Sequence, residues 1–257
     1  MNNVMTSLPV PYALGIHTTT PQLGLCCSRP ERGLTTHTWD LGREMSTQLH
    51  EHLFSFLHPN DLRQLEFIAV TIGPGGFTST RLGVVTARTL AQQLQLPLFG
   101  ISSLAAYVWH TGKMSVSQQH DSSLGRRPDG DIPRSLSNRT AVHMPARRGQ
   151  VFGAVYDMTW KAQSEMEASA TPVQWVESDQ QFTPDQLVPH RADEVIDAED
   201  WKRYLATQGA ETCLELAMNE VLGYTVPSVI ELATLDYLSH KAAHWSTVYP
   251  FYGQSPV

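Results

Sequence analysis

Apolar residues alternate, run and recur along this chain in patterns that predict most of its first half. Tyr12–His17 and Leu23–Ser28 read as two strands joined by the turn-rich Thr18-Thr19-Thr20-Pro21, and Leu34–Asp40 reads as a third. Met45, Leu49, His52, Leu53 and Phe56 then recur at helical spacing until His58-Pro59-Asn60 stops the pattern. Leu65–Ile72 is apolar and β-branched, as a buried strand should be. It runs into Gly73-Pro74-Gly75-Gly76, and a helix over Thr80–Leu94 follows. Pro97–Ile101 is a short strand, and Ser102 or Ser103 can cap a helix through Tyr107.

Beyond that point the pattern weakens. Thr111–Asn138 is polar and rich in Ser, Gly and Pro, and reads as a loop or insertion. Ala141–Pro145 and Gln150–Asp157 predict a hairpin around Ala146-Arg147-Arg148-Gly149. Met158–Pro227 yields no clear elements, and a last helix is expected over about Val229–His244. No solenoid-period repeat is visible. The domains expected are residues 1–108, a polar segment 109–140, and a second subdomain 141–257. This order predicts an α/β fold of mixed sheets with flanking helices in two subdomains. It resembles the ribonuclease-H-like half of the actin and Hsp70 superfamily.

Composition narrows the class. The chain has 257 residues, 41% hydrophobic and 17% charged, as a folded chain should. Its net charge of -7 argues against a surface that attracts nucleic acid by itself. Six arginines between Arg126 and Arg148 are a local exception, read as a solvated loop and one functional turn. Cys26, Cys27 and Cys213 offer neither a disulfide framework nor zinc spacing, which fits a reducing compartment. With no signal peptide or membrane-length apolar run evident, a cytoplasmic location is expected.

The glycine loop poses the chemical question. Gly73, Gly75 and Gly76 permit close backbone approach, and their amides could hold an anion with help from Thr18 and Thr19. The Gly-Lys-Ser/Thr ending of a Walker loop is missing, as are the third glycine and downstream acid of a dinucleotide site. Gly83, Ala87 and Ala91 form a stripe of small side chains on one face of the next helix, flanked by Leu90 and Leu94. A glycine inside a helix costs about 1 kcal/mol relative to alanine, so close packing against the core or a second chain is expected. Asp236, His240 and His244 would share a face if helical, but no fuller ligand set accompanies them and no metal site is assigned.

Several motifs then coincide in order. Gly73–Ala91 (GPGGFTSTRLGVVTARTLA) is similar to the GPGSFTGLRIGVATAKGLA-type signature of the bacterial TsaB (YeaZ) family. Ala13–Thr20 resembles that family's first strand and turn, Arg43-Glu44-Met45-Ser46 its REHS-type helix start, and Pro97–Leu104 its LPVIGVSSL-type continuation. Ala146–Phe152 resembles its DARRGEVY turn. The resemblance implies the actin-like fold and an accessory role without catalysis of its own. TsaB supports the related TsaD transferase, together with the TsaE ATPase, in threonylcarbamoyladenosine modification of tRNA. It implies that Arg43–Leu57 and Thr80–Leu94 bind the partner, through Arg43, Met45, Leu49, Leu53, Gly83, Ala87, Leu90, Ala91 and Leu94. It also implies a homodimer in isolation, only indirect contact with tRNA, no membrane, no cofactor on the isolated chain, and ATP only at the partner junction.

The family's acids at two turns are replaced here by His17 and Pro145. Such acids orient magnesium and the attacking water in the superfamily, which neither replacement can do, so self-sufficient ATP hydrolysis is not expected. The alternatives are an actin-like small-molecule kinase using the glycine loop, or a metallopeptidase-like enzyme.

Overall fold

The structure is a computed structural model that describes residues 11–30, 32–57, 59–118, 135–162, 182–208, 212–217 and 220–253. Two sheets and their helices stack in alternating layers. The first sheet has the order β3-β2-β1-β4-β5, with β1 Ala13–His17, β2 Gln22–Arg29, β3 Gly33–Asp40, β4 Phe67–Gly73 and β5 Leu98–Ser102. β1, β2 and β3 are antiparallel, whereas β4 and β5 extend the sheet in parallel with β1. Central β1 is buried throughout, while edge strand β3 is largely exposed.

Helices α1 (Met45–Phe56) and α3 (Phe77–Leu94) cover the outer face of this sheet. The brief helix α2 (Pro59–Leu62) lies between them in sequence. Met45, Leu49 and Leu53 recur every fourth residue and sink into a core with Leu14, Ile16, Leu25, Ile68 and Val70. The inner face carries Ala13, Cys26, Phe67, Ala69 and Phe99, and it meets α4 (Ser103–Gln118) and the late helix α6 (Val226–Leu238). Adjacent Cys26 and Cys27 therefore serve different cores, as strand alternation requires. Burial pushes their thiols up to about 12 and about 11.

The second sheet has the order β8-β7-β6-β9, from β6 Ser135–Pro145, β7 Gln150–Ala162, β8 Phe182–Asp197 and β9 Thr212–Glu215. The predicted hairpin is present and longer than expected. Ala146 and Gln150 close it by backbone hydrogen bonds, with Arg148 and Gly149 at φ 59° and 72°. One face of this sheet joins the α4–α6 core, and helix α5 (Ala198–Gln208) covers the other through buried Trp201.

Three expectations change. Thr111–Gln118 continue α4 rather than forming a loop, and Ser135–Asn138 begin β6; residues 119–134 lie outside the described residues. The helix continues because its polar and small residues have tasks. Lys113 pairs with buried Glu231, and a Cβ on Gly112 would sit 2.5 Å from Met158 Sδ, so α4 lies close on β7. The last helix starts earlier and stops at Leu238, not His244. There His240 (φ 53°) and Lys241 return their amides to Tyr237 and Asp236, a left-handed end with histidine where glycine is usual. Finally, β8, α5 and β9 occupy part of the stretch that offered no sequence pattern.

Candidate functional site

The glycine loop and the β1–β2 turn meet, so Thr18, Thr19, Gly73, Gly75 and Gly76 are indeed brought together. They meet by filling one another's space. The Gly76 amide donates to the Thr19 carbonyl at 2.7 Å, and a Cβ on Gly75 would lie 2.2 Å from that oxygen. At Gly73, φ is 115° and an added Cβ would lie 2.5 Å from the Phe251 carbonyl oxygen. Phe251 in turn donates its amide to Ile72 at 2.6 Å. Gly73 and Gly75 are thus explained by backbone against backbone, and the Gly76 donor faces a carbonyl oxygen, which would repel an anion.

Each threonine of the turn holds a different segment. The Thr18 amide faces Thr71 Oγ1 at 3.4 Å, and its side chain lies against Gly83 of α3. Thr19 Oγ1 accepts from Ser103 at 2.9 Å, and Thr20 Oγ1 accepts the Leu222 amide at 3.1 Å. His17, just before them, is fully buried, and neither ring nitrogen has a hydrogen-bond partner among the described residues. Desolvation lowers its pKa to about 3, so the ring is neutral at physiological pH. Neutral His17 has no charge with which to hold magnesium. Pro145 closes β6 beside the second turn, opposite Val151.

The small-residue stripe requires a correction. Gly83, Ala87 and Ala91 are buried in the chain's own core, and a Cβ on Gly83 would sit 2.0 Å from Thr18 Oγ1. The stripe lets α3 approach its own sheet and turn. Met45, Leu49 and Leu53 are likewise buried, Leu90 and Leu94 pack at the edge of the same core, and Arg43 is exposed. What these helices offer the outside is different: Phe54 of α1 and Val85 of α3 are 68% and 51% exposed. Tyr249, 62% exposed, lies over the Arg88 guanidinium at 4.8 Å. Sequence periodicity pointed away from Phe54 and Val85, because it selects residues that face inward.

The histidine pair near the end of α6 also comes apart. His240 follows the helix, His244 Nδ1 lies 2.6 Å from Ser246 Oγ, and Asp236 pairs with Lys241. Among the described residues no three His, Cys, Asp or Glu side chains are grouped to hold a metal. Nor is any described helix long and apolar enough to cross a membrane.

A five-stranded mixed sheet and a four-stranded one, with helices packed between them, make an α/β protein of the actin-like type. The structure is similar to "an uncharacterized protein with similarity to peptidase YEAZ from Pseudomonas aeruginosa", with TM-score 0.60 and 15% identity over 95% of this chain and 100% of that one. YeaZ from Pseudomonas aeruginosa aligns with TM-score 0.58 and 14% identity over 94% and 99%. These likenesses show the fold. In sequence, residues 47–119 match the family model "TsaD: tRNA N6-adenosine threonylcarbamoyltransferase". The chain is 29% identical over 145 residues to the tRNA threonylcarbamoyladenosine biosynthesis protein TsaB of Bacillus subtilis (strain 168), covering 56% of this chain and 54% of that protein. It is 41% identical over 44 residues to the Buchnera aphidicola (subsp. Schizaphis graminum) protein of the same name, covering 17% and 21%. The chain thus spans about half the length of the first of these relatives and about a fifth of the second. Together the matches support the TsaB (YeaZ) family, and the TsaD-type match fits the same actin-like fold.

Proposed function

We propose that this chain is an accessory subunit in threonylcarbamoyladenosine modification of tRNA, binding and supporting a TsaD-like transferase without catalysing the transfer. The filled glycine loop carries the reading: the Thr19 carbonyl stands where a phosphate would need donors, beside an uncharged His17. The TsaB relatives supply the pathway, and the resemblance of α1 and α3 to that family's partner helices supplies the docking face.

In this reading the outward side chains Phe54 and Val85, with Arg43, meet the partner, while the small-residue stripe keeps α3 close to its sheet. The same face pairs two copies when the partner is absent. A TsaE-like ATPase joins the larger complex, and nucleotide is held only where the partner supplies carboxylates. Work on tRNA and a cytoplasmic location follow from that assembly.

Co-purification with the TsaD-like protein of the same cell, followed by a reconstituted tRNA-modification assay, tests the reading. A complex of defined stoichiometry that restores modification is the expected result. Phe54→Asp with Val85→Asp should reduce complex formation at least tenfold while leaving the melting temperature within a few degrees. A chain that remains alone yet hydrolyses magnesium-ATP would overturn the proposal.

A further inference from the structure

A cavity of about 580 Å³ lies between the two sheets, bordered by Ile72 and Phe251 where they pack at Gly73 of the glycine loop. One wall comes from β5, α4 and α6, the other from β7 and β8. Its size is that of a small-molecule site, and its walls are chiefly apolar, including Ile101, Ala105, Leu187, Leu232 and Leu235. Such walls suit a flat hydrocarbon or aromatic body and give a highly charged ligand little to hold.

The polar groups are few and uneven in sign. Asp236 and Lys241 both line the cavity and form an ion pair with each other. Asp193 is the remaining charged group of the lining, and among the described residues no cation forms an ion pair with it. Its Oδ1 accepts from the Tyr156 hydroxyl, which also lies 3.3 Å from Ser102 Oγ. Ser102 is itself fixed, because its Oγ accepts the Leu104 and Ala105 amides at 3.0 and 3.1 Å as the cap of α4. The carboxylate is therefore held from both halves of the molecule: β8 carries it, β7 supplies Tyr156, and the β5–α4 junction supplies Ser102. Burial pushes its pKa above the ordinary carboxylate value, so a counter-charge entering the cavity would be stabilising.

We propose that this cavity binds a small arylalkylamine, its ring against the apolar walls and its ammonium on Asp193. An anion would meet two carboxylates and a lysine already paired. A neutral ligand of the same shape would use the walls and leave the carboxylate without a counter-charge. An occupant would touch both sheets and brace one against the other.

Tryptamine, tryptophol and indole-3-acetate share a ring and differ in the terminal group, so titration calorimetry of the full chain with each decides the matter. Tryptamine should bind about tenfold more tightly than tryptophol, a ratio equal to about 1.4 kcal/mol, and indole-3-acetate should give no heat. Asp193→Asn keeps an acceptor for Tyr156; it should abolish the tryptamine advantage and leave tryptophol binding unchanged, which also reports that the variant is folded. Gln186→Trp, placed at an exposed lining position, should block both ligands. No binding of any probe, equal binding of amine and alcohol, or an Asp193→Asn variant that still prefers the amine would each overturn the proposal. None of these outcomes depends on complex formation or tRNA modification.

Discussion

The two sheets share one plan and treat their matching turns in opposite ways. In the order β3-β2-β1-β4, the first sheet has two antiparallel contacts and then a parallel one. β8-β7-β6-β9 repeats that sequence of contacts, with a helix again following the outer strand. The β1–β2 turn is buried and fastened by Thr18, Thr19 and Thr20. The β6–β7 turn exposes Arg147 and Arg148, and an added Cβ on its Gly149 would meet nothing within 4 Å. One plan has been used once as an internal joint and once as a surface. Topology alone therefore does not identify which turn of such a protein does chemistry.

Substitutions can separate the halves. The largest loss is expected from Trp201→Ala, which empties the space between α5 and the second sheet and should cost about 3–5 kcal/mol in urea unfolding. A loss below about 1 kcal/mol would show that α5 contributes little to that sheet's stability. Gly75→Ala drives a methyl into the Thr19 carbonyl and should cost about 3 kcal/mol. The matching change Gly149→Ala meets only the strain of a positive φ and should cost about 1 kcal/mol. If the two glycine variants melt together, the contrast between a packed and a free turn is wrong.

Protons provide a subtler comparison. His17 has an unfolded-state pKa near 6.5 and a folded one of about 3. Between these values the unfolded chain binds the additional proton, so stability should fall as pH drops from about 6.5 towards 3. His17→Leu should flatten much of that slope, measured as urea midpoints at neutral and acidic pH. His143, on β6 in the other half, is only partly buried, and its pKa is lowered by desolvation against the opposing pull of Glu215. It should contribute in the same direction and by less, so a His143→Leu effect exceeding that of His17→Leu would reverse the ranking.

The first sheet was legible because each of its elements follows a single rule. Leu65–Ile72 is apolar enough for a central strand, and Met45, Leu49 and Leu53 mark one helical face. The second sheet was harder to read. β8 lies at a sheet edge and combines Pro184, Pro189 and several charges with register shifts against β7, which erases simple alternation. The left-handed residue just past the end of α6 is His240, so the usual glycine signal is missing. At the site, sequence singled out a loop and a turn that do meet in the fold but could not tell an empty cradle from a filled one. Glycines permit both, and the Thr19 carbonyl that decides between them is a backbone atom. The stripe of Gly83, Ala87 and Ala91 posed the same difficulty, since close approach to the core and to a partner demand identical residues.

The late placement of α6 has a consequence for synthesis. This helix covers the inner face of the first sheet, touching β1, β2, β4 and β5, yet β5 ends at Ser102 and α6 begins at Val226. At about 5–20 residues per second, a ribosome needs roughly 6–25 s to travel between them. During that interval the first sheet can form its strands and gain its outer helices and α4, while Phe67 and Phe99 await their cover from Tyr237. The nascent chain thus passes through a stage in which its most regular half is also its stickiest. Its yield in the cell should depend on whatever shields that face until Val226–Leu238 arrives.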